Sequence, residues 1–108
     1  MAASRSLLAK YASFAGGGES STIVAAASGI TYRLNRFIVS STVNSIITIR
    51  DTSATALQVF YTVADTPYDS WNGGDLRIDA PAGKGFTVEG SAGTTALRLY
   101  YSIIKDTN

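Results

Sequence analysis

The chain has no cysteine and no histidine. Without cysteine it cannot be stapled by disulfides, and it has no thiolate to offer zinc. Without histidine it lacks both the commonest general base and the commonest metal ligand. A Ser-His-Asp or Cys-His nucleophilic centre is thereby excluded. Charge is also scarce: 16% of residues are Asp, Glu, Lys or Arg, against about 25% in an average soluble domain. The net charge of +1 gives no electrostatic footprint for nucleic acid, and Arg33, Arg36, Arg50, Arg77 and Arg98 are spread along the chain rather than clustered. No apolar run approaches the roughly 18 residues of a membrane span. Residues 6–15 are short and interrupted by Lys10, so they do not read as a targeting signal. Neither nucleic acid nor a membrane is an expected partner.

What is present is small and apolar. Hydrophobic residues make up 45% of the 108, with Ala, Ser, Thr and Gly abundant. One domain of this size buries roughly two-thirds of its unfolded surface. So few charges suit a surface covered in an assembly, or equally an ordinary β-domain with a neutral exterior.

The clearest segment is the last third. Residues 76–79 alternate apolar and charged side chains, and residues 80–85 form a turn with Pro81, Gly83 and Gly85. Residues 86–89 alternate again. Residues 96–104 form the longest strand, with Leu97, Leu99, Tyr101 and Ile103 on a core face. Its second face carries Ala96, Arg98, Tyr100, Ser102 and Ile104, more apolar than open water favours.

Earlier in the chain, residues 22–27 and 30–41 read as strands, and a change of phase near Asn35 and Arg36 implies a bulge. Residues 44–51 set Ile47 and Ile49 against Ile46, Thr48 and Arg50. In the next strand Leu57, Val59, Tyr61 and Val63 form the expected inward set, with Phe60 outside. Seven to eight short strands separated by turn signals predict an all-β antiparallel β-sandwich or jelly roll over residues 22–108. Residues 1–21 stand apart as an N-terminal arm, extended or a short helix. Leu7, Leu8, Tyr11 and Phe14 have the spacing of a short amphipathic helix, and the glycines at 16–18 form a joint after it. Those four side chains are candidate docking residues. Phe60, Tyr100 and Ile104, without a place in a single core, are candidate interface residues of the sandwich.

Chemistry is harder to find. The eight carboxylates show no spacing that singles out a glycosidase pair. Asp65, Asp69 and Asp75 share a loop region but do not match a calcium loop. The Gly83-Lys84-Gly85 run has Ile78 where a phosphate loop needs glycine, and no Ser or Thr follows Lys84. No cofactor or metal is expected. The most ligand-like group is Tyr68 and Trp71 beside Asp65, Asp69 and Asn72. It suits a sugar, a subunit contact, or Trp71 packed over one end of the sandwich.

Residues 29–104 resemble small β-sandwich structural proteins of tailed bacteriophages. The resemblance rests on the opening strand Tyr32-Arg33-Leu34-Asn35-Arg36-Phe37-Ile38-Val39, the late turn Ala80-Pro81-Ala82-Gly83-Lys84-Gly85-Phe86, and the closing strand with Leu97, Leu99, Tyr101 and Ile104. It implies a non-enzymatic protein that decorates or cements a capsid, or forms the base of a fibre. The implied partners are the major capsid protein or another virion protein, together with copies of the chain itself, as a trimer. The implied location is the capsid surface of a virion assembled in the host cytoplasm. A small carbohydrate-binding sandwich acting through the Tyr68–Trp71 loop is the alternative.

Overall fold

A computed structural model describes residues 7–15, 17, 20–70 and 77–107. They form β1 (Leu8–Ala15), β2 (Ser20–Val24), β3 (Ile30–Ser41), β4 (Ser45–Asp51), β5 (Ala56–Thr62), β6 (Tyr68–Asp69), β7 (Ile78–Asp79), β8 (Phe86–Gly90) and β9 (Thr94–Asp106). One antiparallel sheet has the order β1-β9-β3, with β6 and β7 following one another along the far side of β3. The other has the order β2-β8-β4-β5. With β6 and β7 counted together as the partner of β3 on that side, the order is that of an eight-strand jelly roll.

Alternation builds the core between the sheets. Leu34, Phe37 and Val39 of β3 and Leu97, Leu99 and Tyr101 of β9 face Ile47 and Ile49 of β4 and Phe86 and Val88 of β8. The bulge expected near Asn35 is present as a register shift between Leu34 and Arg36. It keeps both Leu34 and Phe37 inward across the change of phase. The turn at residues 80–85 needs both of its glycines. Gly83 has φ +79°, and a Cβ on Gly85 would lie 1.8 Å from the carbonyl oxygen of Val24.

Three expectations are corrected. The segment with Leu8, Tyr11 and Phe14, expected as extended or a short helix, is extended and not a helical arm; it is β1, paired along its whole length with β9. Ala12 and Phe14 turn inward against the core. Hydrogen bonds to a partner strand at the other end of the chain override the helical spacing. In β5 Leu57 packs on the core as expected, but from Val59 onward the faces are the reverse of those expected: Phe60 is buried, while Val59, Tyr61 and Val63 are exposed. The cause is register. Phe60 pairs with Ile47, so both point into the sandwich. A shift between Ile49 and Arg50 breaks the phase that Leu57 had suggested. Phe60 is therefore not an interface residue; its ring stacks on Phe37 with centroids 5.2 Å apart. Finally, Ile103 is exposed rather than core: it keeps the phase of Tyr101 and pairs with Tyr32, but it stands next to the register shift near the end of the strand, where the core no longer covers it.

Tyr101 gives the fold a dependence on alkaline pH. Burial pushes its phenol above the ordinary value of 10.0, and Tyr32, 5.5 Å away edge-to-face, adds to the shift. A raised folded-state pKa means full stability below the ordinary tyrosine range and loss as pH rises through the raised value. Tyr101→Phe is expected to flatten the fall of melting temperature between neutral and strongly alkaline pH. An unchanged slope would show that Tyr101 does not carry it.

Candidate interaction surfaces

Because each strand sends every second side chain outward, the sandwich has two outer faces, and both carry side chains suited to contact. On the β4–β5 face Ile46 and Tyr61 are direct cross-strand partners, 45% and 74% exposed. Val59, Val63 and Val43 are also exposed. β5 is the edge of its sheet. It carries neither charge nor proline along Ala56–Thr62, the usual protections of an open edge.

The β1–β9–β3 face is aromatic and basic. The Arg98 guanidinium lies 4.6 Å from the centre of the Tyr11 ring and donates from Nη1 to Tyr100 Oη at 3.1 Å. That hydrogen bond raises the Arg98 pKa above its ordinary value. Arg36 sits 5.6 Å from the Tyr100 ring centre and pairs with Asp69 through two bonds of 2.5 and 3.1 Å. Arg33 pairs with Asp79 at 2.7 Å. A shallow depression of about 610 Å³ opens here, walled by Tyr11, Arg98, Ile38 and Pro67 over the small residues Ser13, Ser40 and Ala96. A second, of about 250 Å³, is lined by Asp65, Thr42 and Thr94 and shares Ser40, Pro67 and Ala96 with the first.

The residues singled out in sequence are dispersed. Leu7, Leu8 and Tyr11 are exposed, but Phe14 packs on the core. Tyr100 and Ile104 are half-buried. The suspected sugar loop does not form one cluster among the described residues. The Tyr68 ring packs on Phe60 at 5.2 Å, Asp69 is held by Arg36, and Asp65 faces the smaller depression. Trp71 and Asn72, and Asp75 of the calcium candidates, lie outside the described residues. No group of three potential metal-ligating side chains occurs among the described residues.

No family model matches the chain, and no curated protein matches it. Among solved structures, a crystal structure of CapF with the inhibitor 3-isopropenyl-tropolone superposes with a TM-score of 0.34 at 16% identity. The alignment covers 95% of this chain and 32% of that one, so the chain spans about a third of that protein's length. At that level the likeness carries no functional inference.

Sequence reading placed Arg98 and Ile46 on the non-core faces of their strands without naming them as contact residues, and it assigned Val59, Tyr61 and Val63 inward. The exposure of those three lies in the register of β5 on β4, which no local pattern displays.

Proposed function

We propose that this chain is a non-enzymatic virion structural protein that binds a bacteriophage capsid and copies of itself. The observation that carries the reading is the uncharged strip of Ile46, Val59, Tyr61 and Val63 along an open edge strand. Exposed apolar side chains of this kind, side by side on one face, mark contact surfaces. The bacteriophage setting rests on the resemblance of residues 29–104. Leu7, Leu8 and Tyr11, exposed at the start of β1, extend the surface available to a neighbour. Low charge accords with contacts made by apolar packing and strand pairing, which salt screens little. The protein locates to the capsid surface, assembles in the host cytoplasm, and on the resemblance forms a trimer. Many weak copies then hold through effective concentration.

The test is occupancy of undecorated particles by the intact chain and by a Tyr61→Ser, Val63→Ser variant. The two side chains are exposed, so folding should be unchanged by circular dichroism. The affinity read from occupancy over a concentration series is expected to fall about thirtyfold, the equivalent of the roughly 2 kcal/mol of an aromatic hot spot. Unchanged occupancy would remove this strip from the contact. If the intact protein bound a soluble glycan and no particle, the shell reading itself would be wrong.

A further inference from the structure

We infer that the outer face of the β1–β9–β3 sheet is a contact between two copies of this chain, in which Arg98 of each copy meets Asp65 of the other. The inference rests on the self-association in the proposed function and assigns it a surface, but a twofold contact closes with two copies, in place of the three that the resemblance implies. The two depressions on this face share their floor, so they form one trough with Arg98 lining one part and Asp65 the other. Arg98 stands opposite Ile38 on β3, and the Asp65 backbone N–H donates to the Ser41 carbonyl. Those positions are three apart on β3, which sets the two residues' backbone attachment points roughly 10 Å apart along the strands.

The charges are unspent. Arg33 and Arg36 of this face are each paired with an aspartate. Arg98 has a phenol and a ring but no carboxylate among the described residues, and Asp65 has no side-chain partner among them. Between the two the floor is uncharged. A twofold axis through that floor lays each Arg98 over the opposite Asp65 and forms the pair twice, as an isologous contact requires. An acidic ligand would satisfy Arg98 and place like charge near Asp65; a basic ligand would do the reverse. A second copy carries both charges at the matching spacing. It also brings its own Tyr11, 67% exposed, toward a floor made of Ser40 and Ala96, whose side chains are short enough to admit a ring.

The experiment is sedimentation equilibrium on the full chain, on Arg98→Asp, on Asp65→Arg, and on the double exchange, at low and high salt. Circular dichroism monitors the fold, and Arg98→Lys controls for loss of the guanidinium's packing on Tyr11. Each single reversal is expected to weaken association at least about tenfold, because it sets like charges together. The double exchange should restore it, and salt should weaken the intact contact. Single reversals with no effect on an associating protein would overturn this contact while leaving self-association through another surface. An intact chain that stays monomeric at every concentration would overturn both. If Arg98→Asp alone weakened association and the double exchange did not rescue it, Arg98 would serve another site and the pairing would be wrong.

Discussion

A chain shortened to begin after residue 15 is expected to lose most of its solubility, and its soluble fraction to melt about 10 °C or more below the intact protein. The reason is the position of β1. Its eight residues pair with β9 from Leu8 opposite Tyr101 to Ala15 opposite Thr94. Removing them uncovers the core beneath Phe14 and Ala12, and burying one large apolar side chain is worth about 1.5–3 kcal/mol. It also turns β9 into an edge strand of 13 residues carrying the core residues Leu97, Leu99 and Tyr101. A long apolar edge is a template for aggregation. Thermal unfolding and the soluble yield of the two chains decide the matter; equal values would show that β1 contributes nothing to the sheet. Deletion is therefore the wrong probe of what the N-terminal segment binds. Substituting the exposed Leu7, Leu8 and Tyr11 tests binding without opening the sheet.

The same strand shows what a sequence hides. The all-β class, the bulge at Asn35, the inward faces of β4 and β8, and the glycine turn after β7 are local. Each is written in alternation or in a residue that alone tolerates the backbone. β1 is not local. Its Ala and Ser residues appear on both faces, so alternation is faint, and the spacing of Leu7, Leu8, Tyr11 and Phe14 suggests a helix. What makes it a strand is the row of hydrogen-bonding groups on β9 at the other end of the chain. The candidate surfaces were hidden in the same way. Arg98 and Asp65 are 33 positions apart, and only the packing of β9 on β3 brings them to one trough. In the suspected loop, whose Trp71 and Asn72 lie outside the described residues, the opposite holds for the part described. Adjacent residues diverged, with Tyr68 turned against Phe60 and Asp69 drawn to Arg36.

Phe60→Ala is expected to cost about 3–5 kcal/mol, while Tyr61→Ser, one residue on, should change stability by less than about 0.5 kcal/mol. Sequence alternation assigned these neighbours the opposite way, so the pair discriminates between two registers of β5. Phe60 is 7% exposed, stacked on Phe37 at 25° between ring planes and in contact with Tyr68. Truncation leaves a cavity against Phe37, which is fully buried and held by the two sheets, so little can collapse into the space. A double-mutant cycle with Phe37→Leu should return a coupling of about 0.5–1.5 kcal/mol beyond area, the contribution of the aromatic pair. Tyr61, on the solvent side of an edge strand, loses nothing comparable. Urea denaturation gives both values, with the midpoint moving and the slope constant if the native state stays compact. The reverse order, Tyr61 costly and Phe60 cheap, would mean β5 has slipped by one residue on β4. The exposed strip of Val59, Tyr61 and Val63 would then lie inside the sandwich, and the surface on which the proposed shell contact rests would not exist.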